Sequence, residues 1–219
     1  MAAMRQAAFF DLDGTLVGVN TGALWMREER RAGRLRLRHV AVGALYMAAY
    51  RFRAVDMERA MVRALTTIKG EREEVVRKRT HDWWRSSVVP WIAPGAASAV
   101  EEHRAQGHLL VLLTSSSPYA SEIAARHFGL DAVLCTAFEV KDGRFTGDVV
   151  RPICYGEGKV VHAERFAAQA GVSLDESFFY TDSFTDLPML ERVGHARTVG
   201  PDLRLRITAR RRGWPVLDW

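Results

Sequence analysis

Two aspartates end the first hydrophobic stretch of the chain. Residues 9–17 read FFDLDGTLV, so Asp11 and Asp13 follow two aromatic residues and are separated by a single leucine. Like charges at that spacing cost free energy unless a cation or a shared proton offsets their repulsion. The stretch therefore predicts a metal site, a proton-transfer role, or both.

Three further groups of polar residues follow apolar runs or turns. Thr114 and Ser115 follow HLLVLL, and Lys159 follows a Gly-Glu-Gly turn. Asp182 and Asp186 follow the strand-like SFFYT. Paired carboxylates suit Mg²⁺, a hard cation that takes oxygen ligands. An ammonium and a hydroxyl donate to phosphoryl oxygens where charge develops. Together the residues favour phosphoryl transfer, which depends on positioning and on neutralising charge.

These motifs resemble, in order and spacing, those of the haloacid dehalogenase superfamily, and most of all its phosphoserine-phosphatase-like branch, subfamily IB. The matching segments are DLDGTLV, the apolar run ending in TSSSP, the lysine of GEGK, and TDSFTDLPML. The resemblance covers essentially the whole chain. It implies an α/β fold, with a Rossmann-like parallel sheet as the core and an α-helical cap domain inserted after the first strand.

The resemblance also implies roles for the first two aspartates. Asp11 would be the nucleophile that forms an aspartyl-phosphate, which divides one difficult step into two easier ones. Asp13 would be the general acid toward the leaving oxygen and then the base that activates water. An acid at position 13 is expected of phosphatases and phosphomutases. Nothing in the sequence indicates the shielding from water that a mutase needs, so hydrolysis is favoured.

The phosphate ligands follow from the same resemblance. Ser115 matches the family's hydroxyl motif best, because SSSP resembles SxSP, and Thr114 is the alternative. Lys159 would hold the phosphoryl group and temper its repulsion from the nucleophile, and Gly14 would lie among the phosphate-binding residues. The next residue of the loop, Ser116, stands where phosphoserine phosphatases carry glycine.

The implied cofactor is Mg²⁺. Its ligands would be Asp11, the carbonyl group of Asp13, and Asp182. Asp186 would either support the water shell of the metal or orient Lys159.

The cap region bears on the substrate. Phosphoserine phosphatases that resemble this chain carry an acidic residue near position 20, which meets the ammonium group of the substrate. Here Asn20 is a candidate substrate residue, and no acid follows it until Glu28. The sequence therefore argues against phosphoserine. Any substrate selectivity that the arginines of the cap provide would favour a substrate with an additional anionic group.

The apolar pattern predicts the elements that position these residues. Residues 7–11 form a continuous apolar run typical of a buried strand, and no convincing strand follows from about residue 21 to 90. From residue 96 onward, helical and strand patterns alternate, which predicts a parallel sheet covered on both faces. We expect a core of residues 1–17 and 92–219, with a helical cap of residues 18–91. Ligands would bind at the carboxyl ends of the strands.

The amino-acid composition limits the possible classes of protein and of binding partner. The chain has 219 residues, of which 48% are hydrophobic and 26% charged, as in an ordinary soluble domain. The net charge of +5 comes mainly from arginines, many of them between Arg27 and Arg85. A solvated helical surface explains them best, ahead of attraction for anionic substrates and contact with nucleic acid or membrane. No nucleic-acid-binding motif is present, so no nucleic-acid partner is expected.

The cellular location is predicted to be cytoplasmic. Cys135 and Cys154 are the two cysteines and have no metal-ligand spacing, which fits a reducing compartment. The first residues lack the apolar run of a signal peptide. The apolar segment 40–50 is about half the length of a membrane span. A helix of a small bundle is favoured there, and a helix lying on a membrane surface is the alternative.

The sequence thus predicts a Mg²⁺-dependent phosphomonoester hydrolase that acts on a small phosphorylated metabolite. The alternatives are a lipid-phosphate phosphatase that works at a membrane surface, and a catalytically silent binding protein of the same fold. Neither the physiological substrate nor the oligomeric state is indicated by the sequence.

Overall fold

The computed structural model describes residues 4–35 and 56–219. The segment 40–50, predicted to be a bundle helix or a membrane-surface helix, lies outside the described residues. Within the described ranges, no helix combines the length and the apolar composition needed to cross a membrane.

A six-stranded parallel sheet forms the centre of the molecule, in the order β3-β2-β1-β6-β7-β8. Two further strands, β4 and β5, pair antiparallel as a separate hairpin. The strands are β1 (Ala7–Phe10), β2 (Leu109–Thr114), β3 (Ala132–Cys135), β4 (Phe138–Lys141), β5 (Arg144–Val149), β6 (Phe178–Thr181), β7 (His195–Val199) and β8 (Val216–Leu217). The α/β fold class predicted from the sequence is confirmed.

Helices cover the sheet and also form the described part of residues 18–91, the inserted segment. The α-helices are α1 (Thr21–Arg31), α2 (Met57–Leu65), α3 (Glu73–Trp83), α4 (Ala96–Ala105), α5 (Pro118–Phe128), α6 (Glu157–Ala170), α7 (Leu187–Arg192) and α8 (Leu203–Arg212). Between residues 18 and 91, the described residues form helices and no strand element. Asp56 and Ser117 accept hydrogen bonds from the first turns of α2 and α5, as N-cap residues do.

The central strand β1 is buried on both faces, which explains its continuous apolar sequence. Ala8 and Phe10 pack in one core cluster, and Ala7 and Phe9 pack in a second cluster on the opposite face. Alternate residues of a strand point to opposite faces, so a strand with helices on both sides needs apolar residues throughout. The loop that follows β1 therefore begins in the middle of the sheet, at its carboxyl edge.

The two ends of the inserted segment lie side by side. The amide of Gly18 donates to the carbonyl of Trp91 at 2.8 Å, and Val17 forms a bridge with Ile92. The β4–β5 hairpin also contacts the inserted segment, because Arg72 forms an antiparallel backbone bridge with Arg144. The division at residues 17/18 and 91/92 stays a prediction.

The predicted elements differ from the structure mainly at their ends. Residues 7–11 were predicted to form a strand, and β1 ends one residue earlier, at Phe10. Strand β8 was not predicted, because two residues after a Pro carry no periodic signal. It is formed by pairing with β7, which is a tertiary contact.

Candidate active site

The polar residues singled out in the sequence meet at the carboxyl edge of the sheet. The amide of Asp11 donates to the carbonyl of Tyr180 at 2.9 Å, which continues the pairing of β1 with β6 one residue beyond the strand. The side chain of Asp11 is buried. Thr114 ends β2 and Thr181 ends β6, so both flank Asp11 on neighbouring strands.

Lys159 lies at the centre of this site and is 2% exposed. Its Nζ is 3.1 Å from Oδ1 of Asp11 and 2.7 Å from Oδ2 of Asp186. Burial disfavours the charged ammonium, yet the two carboxylates together raise the pKa of Lys159 above its ordinary value. The side chain is thus a fixed positive charge beside Asp11.

Asp186 holds Lys159 in place. Its Oδ2 accepts hydrogen bonds from Lys159 Nζ at 2.7 Å and from the hydroxyl of Thr181 at 2.6 Å. The sequence left two roles open for Asp186, and its role stays a prediction; these contacts favour the orientation of the lysine.

Asp13 is held by hydrogen bonds from two other segments. Its Oδ1 accepts from the backbone amide of Thr21 at 3.0 Å, and its Oδ2 accepts from the hydroxyl of Ser116 at 3.1 Å. Burial raises the pKa of Asp13, and these hydrogen bonds oppose the rise. A raised pKa makes it easier for this carboxyl group to hold a proton.

The pKa values of Asp11 and Asp182 are also raised, to about 7 and about 8. Burial is the main cause for both. Lys159 lowers the pKa of Asp11, whereas Asp186 raises the pKa of both groups, and the charge of Asp11 adds to the rise at Asp182. A cation bound between Asp11 and Asp182 would relieve this crowding of negative charge.

Gly14 lets the chain pass close to Asp182. Its backbone has φ of +75°, and a Cβ at this position would lie 2.3 Å from Oδ2 of Asp182. Only glycine adopts that conformation readily and also leaves room for the carboxylate. The loop after β1 and the end of β6 are therefore packed directly against each other.

The donor set of two carboxylates fits Mg²⁺, which takes oxygen ligands. In the part of the chain that the structure describes, no three or more His, Cys, Asp or Glu side chains group as a metal-binding cluster. Mg²⁺ keeps several waters and commonly binds through one or two carboxylates plus substrate phosphate. Two crowded carboxylates, Asp11 and Asp182, match that need without a third acidic or imidazole ligand.

The hydroxyl loop after β2 has several distinct contacts. Thr114 Oγ1 accepts from the amide of Ser116 at 3.1 Å, and Ser117 Oγ accepts from the amide of Ala120 at 3.3 Å. Ser115, the predicted phosphate ligand, lies between them and is partly exposed. Ser115 therefore follows the carboxyl end of β2 directly, in a loop whose neighbouring hydroxyls hold backbone amides.

Two residues near the site were not assigned a role from the sequence. They are Ser116, in the hydroxyl loop after β2, and Thr21. Thr21 begins helix α1, whose N-cap is Asn20, with Oδ1 accepting from the amide of Ala23 at 2.8 Å. Asn20, the candidate substrate residue, therefore caps a helix in the structure. An Asn at an N-cap position predicts that a helix begins at the next residue, Thr21, whose amide is then free of helical hydrogen bonding and can donate to Asp13.

The haloacid dehalogenase-like hydrolase family model matches residues 8–191, and the chain belongs to this family. A probable phosphatase of Mycobacterium tuberculosis is 34% identical over 218 residues, which cover 98% of this chain and 76% of that protein. A second protein of that organism, named phosphoserine phosphatase, is 32% identical and is matched over 99% of this chain and 71% of its own length.

A solved structure from Bordetella pertussis Tohama I, described as a protein with unknown function, is similar over its whole length. It is 30% identical, has a TM-score of 0.90, and the match covers 99% of each chain. The family and enzyme class predicted from the sequence, a phosphoserine-phosphatase-like hydrolase of the haloacid dehalogenase superfamily, are confirmed.

Proposed function

We propose that the protein is a cytoplasmic, Mg²⁺-dependent phosphomonoester hydrolase that acts on a small phosphorylated metabolite through a phospho-aspartate at Asp11. The observation that carries this proposal is the contact of buried Lys159 with Asp11 at 3.1 Å. An ammonium in that place supports a carboxylate nucleophile and, at the same time, attracts the phosphoryl oxygens that approach it.

The first step transfers the phosphoryl group to the enzyme. A carboxylate oxygen of Asp11 attacks phosphorus, and the bond between phosphorus and the ester oxygen breaks. The leaving oxygen keeps the bonding electron pair and takes a proton from Asp13. In-line positioning and neutralisation of charge supply most of the acceleration in such transfers.

The second step returns the enzyme to its starting state. Asp13, now ionised, takes a proton from water as the water oxygen attacks phosphorus. The bond between phosphorus and the Asp11 oxygen breaks, which frees inorganic phosphate and restores the carboxylate. The same residue thus acts first as acid and then as base, and each step leaves it in the protonation state that the other step requires.

The remaining residues bind rather than react. Ser115, with Thr114 as the alternative, and Gly14 would contact the phosphoryl oxygens together with Lys159. Mg²⁺ would be held by Asp11, Asp182 and the carbonyl group of Asp13, and when bound it would supply positive charge toward the phosphoryl group.

The substrate is proposed only as a class. A relative named phosphoserine phosphatase supports a small phosphomonoester. In this chain the helix-capping Asn20 stands where an acid would meet a substrate ammonium, which argues against phosphoserine itself. The lipid-phosphate alternative depends on the segment 40–50, so it is left as an outcome of the assay.

The test is phosphate release from a panel of phosphomonoesters with Mg²⁺ or with EDTA. The panel contains phosphoserine, histidinol phosphate, sugar phosphates, nucleotides and lysophosphatidic acid. We expect metal-dependent turnover that Asp11→Asn abolishes. Asp142→Asn is the matched control, since it makes the same change in the exposed β4–β5 turn, where Asn-Gly is well tolerated. No turnover of any ester by folded protein with Mg²⁺ would favour the silent binding protein.

A further inference from the structure

The carboxylate of Asp13 belongs to a closed ring of three hydrogen bonds. Thr21 donates its amide to Oδ1 at 3.0 Å, and Ser116 donates its hydroxyl to Oδ2 at 3.1 Å. The hydroxyls of Thr21 and Ser116 are also 3.1 Å apart. Each oxygen of Asp13 therefore has its own donor, and the two donors contact each other.

The directions within this ring follow from the chemistry of the groups. An ionised carboxylate only accepts hydrogen bonds, so the Ser116 hydroxyl must donate its proton to Asp13. The oxygen of Ser116 is then the acceptor for the hydroxyl of Thr21. Each carboxylate oxygen keeps a lone pair outside the ring, where a proton can be held for transfer.

The three residues come from three different segments. Asp13 lies in the loop after β1, Thr21 is the first residue of α1 in the inserted segment, and Ser116 lies in the hydroxyl loop after β2. Thr21 is 2% exposed, so its contacts have little competition from water. In such surroundings a satisfied hydrogen-bond network is strong and fixes one geometry.

We propose that Ser116 and Thr21 are positioning residues that aim the carboxyl group of Asp13 at the leaving oxygen of the substrate. The inference rests on the proposed function, in which Asp13 protonates that oxygen as the ester bond breaks. It adds a link between the inserted segment and the proton donor: the first residue of α1 helps to set the angle of the catalytic carboxyl group.

The kinetic signature is a dependence on the leaving group. An alkyl alcohol is a poor leaving group and needs its proton in the transition state, whereas p-nitrophenolate leaves without one. A misdirected Asp13 therefore slows alkyl phosphates much more than p-nitrophenyl phosphate. The relevant quantity is kcat/KM, because it reports the steps up to cleavage of the ester bond and is independent of later hydrolysis of the phospho-enzyme.

The experiment measures kcat/KM with Mg²⁺ for an alkyl phosphate turned over by the wild type and for p-nitrophenyl phosphate. Ser116→Ala removes the donor, and Thr21→Val removes the second hydroxyl but keeps the shape of the side chain. Ser116→Thr and Thr21→Ser retain a hydroxyl. Ser117→Ala is the matched control, because it deletes a hydroxyl in the same loop and costs about 1 kcal/mol of helix capping.

For Ser116→Ala we expect kcat/KM for the alkyl phosphate to fall about tenfold or more, with p-nitrophenyl phosphate changed by less than about threefold. Thr21→Val has a smaller effect of the same kind, and the two hydroxyl-retaining variants recover most of the loss. Ser117→Ala alters thermal stability and leaves the ratio of the two substrates unchanged.

Equal losses on both substrates, or none, would overturn the positioning role while the proposed function stands. A wild type that hydrolyses no phosphomonoester overturns the proposed function, and this inference with it. If Ser116→Ala does not fold, as shown by circular dichroism, Thr21→Val against Thr21→Ser gives the same comparison.

Discussion

Single residues of the site work within a crowded arrangement of charge. Lys159 contacts both Asp11 and Asp186, and burial nevertheless raises the pKa values of Asp11 and Asp182. Removing one partner of a buried ion pair costs more than the pair contributes. Small displacements of these side chains should therefore have large effects on catalysis.

Gly14→Ala tests the contact between the loop after β1 and Asp182. The added Cβ would lie 2.3 Å from Oδ2 of Asp182, so the carboxylate must move away from the proposed metal site. We expect kcat/KM to fall about 100-fold, as is typical when a reacting group is misplaced by about 1 Å. Titration with Mg²⁺, followed by calorimetry, should show weakened binding.

Gly107→Ala is the matched control for that substitution. Gly107 has the same φ of +75° but no atom within 4 Å of an added Cβ. It should lose about 1–2 kcal/mol of stability through backbone strain alone and keep its activity and Mg²⁺ affinity. Full activity in Gly14→Ala would contradict this account, because it would show that catalysis does not depend on the position of the Asp182 carboxylate.

At the scale of the elements, the first turn of α6 determines where Lys159 lies. A Cβ at Gly158 would be 1.9 Å from the carbonyl oxygen of Ile153, so the helix starts in direct contact with the preceding chain. The close approach of backbone to backbone requires glycine here, one residue before the lysine.

Gly158→Ala should therefore displace the start of α6 and, with it, Lys159. We expect a loss of about 1–3 kcal/mol in the free energy of unfolding, as for overpacked sites, together with a large loss of kcat. Urea unfolding and phosphatase assays provide the two readouts. Gly171→Ala, at the other end of the helix and with no atom within 4 Å of an added Cβ, should retain kcat. Similar activity in both variants would contradict this account of α6.

The elements themselves were largely predictable, and the reason is physical. β1, β2 and β6 are apolar runs because both faces of a covered parallel sheet are buried, so their sequences carry a strong signal. Strand β8 has two residues and depends on its partner β7, so it carries none. The motif residues follow strands, which is why Asp11, Asp13 and Asp182 could be placed at one edge.

The contacts of Ser116 and Thr21 could not be predicted in the same way. Residues 13, 21 and 116 lie on three segments, and their distances depend on how the insertion returns to the sheet. A hydroxyl in a loop also has several equally good local partners, as the capping role of Ser117 shows. Sequence patterns indicate which residues lie near the end of a strand, but they do not indicate which hydrogen-bond partner each side chain contacts.

At the scale of the whole molecule, stability should depend on a buried histidine. His103 is 4% exposed; its Nε2 is 2.9 Å from the hydroxyl of Tyr180, and its Nδ1 is 2.8 Å from Nδ1 of His108. Burial, with smaller contributions from His108 and Arg197, lowers the pKa of His103 to about 4. The folded protein therefore keeps this imidazole neutral.

The sign of the pH dependence follows. Below about pH 6.5 the unfolded chain binds a proton at His103 that the folded protein does not, so this group lowers the free energy of unfolding from pH 6.5 down to about 4. The raised pKa values of Asp11 and Asp182 act in the opposite sense. The prediction therefore concerns the difference between His103→Gln and the wild type.

Urea unfolding at several pH values, with EDTA present, measures that difference. The wild type should lose stability relative to His103→Gln as the pH falls from 6.5 to 4. His127→Gln, which changes an exposed histidine, should leave the wild-type pH dependence in place. Parallel curves for the wild type and His103→Gln would contradict the buried neutral state.

The central claim is that Asp11 carries the phosphoryl group during turnover. The most direct measurement is acid quenching of the enzyme during turnover of a ³²P-labelled phosphomonoester with Mg²⁺, followed by peptide mapping. We predict protein-bound label on the peptide that contains Asp11, and no label in Asp11→Asn. Steady turnover by Asp11→Asn, or label bound at another residue, would contradict the account.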